Sequence, residues 1–473
     1  MKIIPNYKLA KLTLSFKSFI KTIMNQPWTS GAILLLCVIV AMLLANLPST
    51  REIYEQVLQT TLEINIQSPL TAEGTRLFDI SVPHGMNLEK FINDILMVIF
   101  FFSVGLEIKR EIKYGELSSP KKALLPVIAA AGGMAMPAII FTVFNYGTAG
   151  ASGWGIPTAT DIAFAVGILA FLGDKVPVSL KVFLTALAIA DDLGAILVVA
   201  FFYGGSVNLL LLLIAAVVIA FVCVLNNLGE KNMIFYIIPA IAVWFLFYYA
   251  GIHATMSGVV MAMMIPMSPR YSHAYLLRRS HEYENRMALY DGQDSADGQF
   301  PNDAQRHCLR RLAHINNGAM GMSYRLEHAL APIVNYGIMP IFALANAGVQ
   351  IPDLSYFNIF QYSPELGSVG MGIFFGLLIG KPLGITLASW IAIKMKVGAM
   401  PGGATWKMLF AVACLGGIGF TMSIFVDTLS FTDVSQYTES LQSAGKISVL
   451  MGSLCAGIFG SILINAISRI EKK

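Results

Sequence analysis

Charge is what this sequence has least of. Asp, Glu, Lys and Arg together make up 13% of its 473 residues, while apolar residues make up 56%, far from the balance that keeps a chain of this length soluble and globular. That shortage excludes a water-solvated fold. Cysteine is also sparse, and Cys37, Cys223, Cys308, Cys414 and Cys455 show no metal-ligand spacing. Four of these read as helix packing within apolar runs and Cys308 as a loop thiol. The formal net charge is only +4, with basic residues in short clusters between apolar runs, so a nucleic-acid partner has no support. No cofactor is expected.

What the sequence does have is apolar length. Stretches of roughly 20 residues, each about enough helix to cross a hydrocarbon core ~30 Å thick, recur along the chain. Twelve spans are predicted, starting near Thr29, Leu88, Ala123, Ser152, Val178, Asn208, Asn232, Ala254, Ala329, Gly370, Thr405 and Ile447. Lys2, Lys8, Lys11, Lys17 and Lys21 precede the first, but the apolar run 29–47 is too long for a signal peptide and reads as a retained helix. Loop charge tests the count independently, because cytoplasmic loops hold the excess Lys and Arg. The N-terminus, 109–122, Lys175 with Lys181, Lys231, 269–325, 394–407 and Lys472 fall on one side. On the other, the connections 145–153, 203–207 and 348–367 contain no Lys or Arg, and 427–445 is acidic. The reading is an all-α, many-pass membrane protein with a cytoplasmic segment 1–28, one transmembrane domain 29–468 and a cytoplasmic tail 469–473.

Two loops stand out. The outer connection 48–87 mixes Arg51 and Arg76 with five acids and has alternating patches such as 62–66, which fit a short β-hairpin. The stretch 270–322, within the long cytoplasmic loop 269–325, is polar and rich in Asp, Gln and Arg. It is predicted to be a solvated or partly disordered loop without transport chemistry.

Two spans look broken. Gly153-Trp154-Gly155-Ile156-Pro157-Thr158-Ala159-Thr160-Asp161 puts Gly, Pro, Thr and Asp where an unbroken helix would want Leu or Ile, and Gly416-Gly417-Ile418-Gly419-Phe420-Thr421 places three glycines in the eleventh span. Irregular backbone at membrane depth persists only where protein or a water-filled cavity satisfies its polar groups. Interrupted helices in comparable positions of two chain halves point to an inverted-repeat transporter with its site at the break. Close helix packing through glycine is the plainer account of 416–419, but Pro157, Thr158, Thr160 and Asp161 accompany the first break and favour an interruption.

Ionisable residues inside a span are costly and mark function or pairing. Asp94, Asp161, Asp191, Asp192 and Lys381 stand out in this way. Neighbouring helix positions point ~100° apart, so Asp191 and Asp192 cannot both face one partner in the same way. One can pair with Lys381 while the other faces a cavity; an architectural ion-pair network is the alternative. Carboxylate oxygens suit a hard cation and can take a proton instead, and that competition is already an exchange mechanism. Asp161 reads either as an ion ligand, as compensation for partial charges at half-helix ends, or as an ordinary helix cap. The charged run Glu107, Lys109, Arg110 and Glu111 ends the second span and taken alone is an interface anchor. His253 is a lone histidine near the outer surface.

Five runs are specific: Val104-Gly105-Leu106-Glu107-Ile108-Lys109-Arg110-Glu111, Thr160-Asp161-Ile162-Ala163-Phe164-Ala165, Asp191-Asp192-Leu193-Gly194-Ala195-Ile196, Gly380-Lys381-Pro382-Leu383-Gly384 and Gly417-Ile418-Gly419-Phe420-Thr421-Met422-Ser423. With them the chain resembles the NhaA family of bacterial sodium/proton antiporters from the second span to the twelfth. The resemblance implies a twelve-helix fold with two crossed, interrupted helices. It also implies electrogenic exchange of internal Na⁺ or Li⁺ for external H⁺ across the bacterial inner membrane, among lipids and with a homodimer as one arrangement, rather than an enzymatic reaction. On that mapping Asp192 and Asp191 form the cation and proton site, and Lys381 is the salt-bridge partner of Asp191. Thr160 and Asp161 lie at the crossing, and Asp94 lines the outward path. A pH-response region would map onto Glu107, Arg110, Glu111, Arg325, Glu327 and His328, with His253 on the opposite side. Tyr324 stands where the family often has lysine and Ala331 where it often has histidine, and the 270–322 loop is longer than in familiar members.

Two other classes fit less well. An intramembrane aspartyl protease needs acids converging from separate helices to share a proton, and adjacent Asp191 and Asp192 with no Gly-x-Gly-Asp run do not supply that. A solute symporter or a channel on a related fold would add recognition groups near the breaks, and few are present.

Overall fold

The computed structural model describes residues 26, 28–61, 64–67, 79–82, 86–205, 207–269, 271–289, 303–351, 358–431 and 437–471. The segment 1–28 predicted to be cytoplasmic, apart from residues 26 and 28, and the end of the predicted tail lie outside these. Among the described residues eight helices are long and apolar enough to cross a membrane: Thr29–Asn46, Leu88–Tyr114, Lys122–Asn145, Val178–Phe202, Leu209–Asn227, Met322–Asn346, Val369–Lys394 and Thr438–Ile470. Two further spans are bent pairs, Ala149–Thr158 with Ile162–Phe171 at 41° and Trp406–Leu415 with Phe420–Ser430 at 53°. Ile234–Ala250 and the short Met256–Met264 correspond to the remaining two predicted spans.

Most predicted starts agree with these helices to within a few residues, but those near Ala329 and Ile447 come late, because the helices begin at Met322 and Thr438. Both open with polar turns, containing Arg325, Glu327 and His328 in one and Glu439, Gln442 and Lys446 in the other. Hydropathy registers only the apolar part of such a helix.

The chain divides into two compact units, one of Met1–Met97, Glu111–Gly204 and Asn335–Lys473, the other of Val98–Arg110 and Gly205–Val334. In the first, helix Lys381–Lys394 lies against Pro120–Asn145. A Cβ at Gly384 would overlap the carbonyl of Gly132, and a Cβ at Gly132 would overlap Ala388. Lipid offers no hydrophobic drive between helices, so small residues that let backbones touch supply the packing. Among the described residues three π-helical turns interrupt spans, at Ile92–Leu96, Val334–Ile338 and Gly376–Gly380, and the first and last bear on the candidate site. Met97 N donates to Ile92 O after the turn Ile92–Leu96, and Lys381 N donates to Gly376 O after the turn Gly376–Gly380. One turn contains Asp94 and the other delivers Lys381.

The second unit is cored by Leu106, Ala215, Val222, Tyr236, Val243, Phe247 and Met261. Where a solvated or partly disordered loop is predicted for 270–322, the described residues include two helices, His273–Leu289 and Asp303–Ala319, packed on each other. Their charges pair along the helix surface, as in Arg286 with Glu282 at 2.8 Å, while Ile315 and Cys308 turn inward. Cys308 is therefore a buried helix residue, not a loop thiol. Such i, i+4 pairing lets a polar segment hold helix that composition alone does not reveal. In the connection 48–87 the predicted hairpin forms, with Ile64–Gln67 antiparallel to Asp79–Val82 and Ile64 opposite Val82.

The backbone contact at Gly384 generates a first expected outcome. Gly384→Val should lower stability by about 2 kcal/mol or more through overpacking, read as a fall in thermal midpoint of the purified protein in detergent. Gly402→Val, at a position with nothing within 4 Å of the new Cβ, should leave the midpoint within about 0.5 kcal/mol of wild type.

Candidate ion-binding site at the helix breaks

At each break the backbone leaves the helical ladder, and its polar groups need partners in a place without bulk water. The two breaks supply each other. Asp161 N donates to Ile418 O at 2.6 Å, and Thr160 Oγ1 donates to Gly416 O at 2.8 Å. Ser423 Oγ donates to Ile156 O at 2.7 Å, and Ser453 Oγ on Thr438–Glu471 accepts from Gly419 N and Phe420 N at 3.2 and 3.1 Å.

Asp161 sits at the centre of this exchange. Its Oδ1 accepts from Phe164 N at 3.3 Å and caps Ile162–Phe171, while Oδ2 accepts from Thr421 N at 3.1 Å and from Thr421 Oγ1. One carboxylate thus faces the first turns of two half-helices, whose exposed N–H groups carry partial positive charge. The cap reading of Asp161 is the one the geometry fits, extended to a second helix.

Asp191 and Asp192 lie near the middle of helix Val178–Phe202 and are 0% and 3% exposed. The Lys381 ammonium, itself 0% exposed, donates to Asp191 Oδ2 and to Thr160 Oγ1, the latter at 2.9 Å. Since Thr160 donates onward to Gly416 O, a continuous line runs from Asp191 through Lys381 and Thr160 to the C-terminal end of Trp406–Leu415. Positive charge there complements the negative end of that half-helix. Asp191 Oδ1 has no hydrogen-bond partner among the described residues. Asp192, ~100° round the helix, adds its field to that of Asp191 at Lys381. Carboxyl oxygens of this kind suit a hard cation and can take a proton instead.

The other sequence-predicted residues fall in separate places. Asp94 is half-buried in its π-helical turn. Its neighbour Asn93 exchanges amide hydrogen bonds with buried Asn346, at 3.1 and 2.8 Å. Within the second unit Arg110 lies 3.9 Å from Glu107 and 3.3 Å from Glu327, and Lys109 Nζ donates to the carbonyls of Met263 and Ile265 at 2.6 and 2.5 Å. His328 meets the Tyr324 ring at 4.1 Å between centroids, and Arg325 shares their helix. Glu111, in the first unit, accepts from Glu116 N at 3.1 Å. His253 lies in the turn between Ile234–Ala250 and Met256–Met264. Sequence reasoning missed Thr421 as a partner of Asp161, along with Ser453 and the Asn93–Asn346 pair. A threonine two residues after the last glycine of the break was the available signal for the first; a lone serine in an apolar helix gives none.

The family model described as Na⁺/H⁺ antiporter 1 matches residues 21–464. The chain belongs to that antiporter family. Na(+)/H(+) antiporter NhaA of Oleidesulfovibrio alaskensis is 44% identical over 80% of this chain and 81% of its own length. The proteins of the same name from Helicobacter pylori strain 26695 and Sulfurimonas denitrificans are 39% and 40% identical, each over 97% of both chains.

The ion pair can be tested by stability alone. Lys381→Met would leave the Asp191 carboxylate buried without its cation and should lower stability by about 3 kcal/mol or more. Adding Asp191→Asn should restore most of that loss in thermal unfolding of the purified antiporter-family protein. A double variant no more stable than the single would show that the two side chains are uncoupled.

Proposed function

We propose that this protein is an electrogenic antiporter that exchanges internal Na⁺ or Li⁺ for external H⁺ across the bacterial inner membrane, with both termini cytoplasmic. The observation that carries the reading is the buried line Asp191–Lys381–Thr160–Gly416 beside Asp192, at the meeting of two broken helices. Family membership and the names of the relatives agree with it.

Asp192 and Asp191 would then be the shared site of cation and protons. A monovalent cation arriving at Asp192 competes with Lys381 for Asp191, since both present positive charge to the same carboxylate. Its binding displaces protons from these acids, and electrogenic exchange follows where more than one proton crosses for each monovalent cation. Asp161 and Thr160 hold the crossing in place without touching the ion, because their polar atoms already have partners there. Asp94 lines the outward path. Glu107, Arg110 and Glu327, with Glu111, Arg325, His328 and His253, set the response to pH through charged groups outside the exchange site.

The experiment is sodium-evoked dequenching of a trapped pH dye in everted vesicles. Wild type should respond and Asp192→Asn should lose the response, while an uncoupler that dissipates the pH gradient should stop uphill sodium movement in wild type. Equal responses from wild type and Asp192→Asn would remove Asp192 from the site.

A further inference from the structure

A fourth buried acid lies in the second interrupted span, outside the site described above. Asp427 is 0% exposed on half-helix Phe420–Ser430, and neither carboxylate oxygen has a hydrogen-bond partner among the described residues. The contrast with the other acids is instructive. Asp161 receives two backbone N–H groups and a hydroxyl, and Asp191 receives an ammonium. Donors near Asp427 point elsewhere. Tyr203 Oη donates to Ser152 O at 2.8 Å, Ser430 Oγ to Val426 O at 2.7 Å, Thr428 Oγ1 to Phe425 O at 2.8 Å and Gln442 Nε2 to Thr428 O at 3.3 Å.

The protein nevertheless makes room for this carboxyl group. A Cβ at Gly445, on Thr438–Glu471, would overlap Asp427 Oδ1, so the head of the acid rests directly on the backbone of that helix. The elements packed on Phe420–Ser430 are Ala149–Thr158, Met339–Asn346 and Thr438–Glu471. The first two bring no titratable side chain. The third brings Lys446, whose charge reaches Asp427 without forming an ion pair among the described residues, and Tyr203 faces the acid from beyond Val178–Phe202. An ionised carboxylate in such a place would have neither a hydrogen-bond donor nor a paired cation among the described residues, and the more distant Lys446 would offset only part of its desolvation. The uncharged acid avoids that cost.

We propose that Asp427 is a proton-binding site separate from Asp191 and Asp192: it is the uncharged acid in the resting protein and exchanges its proton with the outer medium during transport. Six residues of helix, ~9 Å along the axis, separate it from Thr421, which binds Asp161 at the crossing. A shift of the crossing is therefore carried by one rigid half-helix to the acid. The part concerning transport rests on the antiporter reading; the resting protonation state does not.

Infrared spectroscopy of the purified, lipid-reconstituted protein at neutral pH tests the first part. Wild type should show a protonated carboxyl band that Asp427→Asn lacks and Asp191→Asn keeps. In liposomes, Asp427→Asn should shift the outer proton concentration for half-maximal sodium flux about tenfold, one pH unit, with KM for Na⁺ within about twofold. Should Asp427→Asn not accumulate, Gly445→Ala, which crowds the carboxyl group, should shift the same band. A band unchanged in these variants, a superimposable pH profile, or loss of a sodium-dependent thermal stabilisation in Asp427→Asn alone would overturn the proposal. Failure of wild type to move sodium while the Asp427 band is present would instead refute the antiporter reading.

Discussion

Everything at the centre of this protein depends on one constraint: backbone N–H and C=O groups released from a helix inside lipid must find partners, at several kcal/mol for each that does not. Two breaks, near residues 159–161 and 416–419, release such groups, and neither could persist alone. Placed against each other they are mutually satisfied, through Asp161 N to Ile418 O, Thr160 to Gly416 O and Thr421 to Asp161. The crossing is thus the condition for having breaks at all, and the functional groups are hung from it. Thr160 illustrates the economy, since its hydroxyl closes the backbone of one break and accepts from Lys381.

The charges then follow a consistent sign rule. The carboxylate of Asp161 faces two helix N-termini, and the ammonium of Lys381 is linked to a helix C-terminus. Both arrangements run with the helix dipoles. Asp191 and Asp192, in the interior of an unbroken helix, have no such dipole to lean on, and Asp191 Oδ2 takes its charge partner from Lys381. That leaves the pair less settled than Asp161, both of whose oxygens are taken by donors at the crossing.

Much of this was legible in the sequence. Spans announced themselves by length and loop charge, breaks by Gly, Pro and Thr at membrane depth, and the acids by their cost in lipid. What was hidden has physical reasons. Polar turns before Met322–Ile333 and Thr438–Glu471 carry no hydropathy signal, and the helical pair His273–Leu289 and Asp303–Ala319 is stabilised by Arg–Glu pairing that composition counts as polarity. Adjacent Asp191 and Asp192 showed only that they differ; which one meets Lys381 depends on the rotation of two helices. Asp427 was visible as a letter, but its lack of donors is a property of its surroundings, and the 427–445 stretch reads simply as acidic.

The π-helical turn Gly376–Gly380 has a consequence for how this sequence can change. Its wide loop, closed by Lys381 N on Gly376 O, holds one residue more than an α-turn would. Losing one residue of 376–380 would close that loop to an α-turn, and four α steps carry the chain round by nearly the same angle as five wider π steps. Lys381 would keep its facing toward Asp191 and Gly384 its facing toward Gly132. A codon can therefore be lost at this turn with charge and packing kept in register, whereas a deletion between Lys381 and Gly384 would turn the glycine ~100° off Gly132 while the ammonium stays.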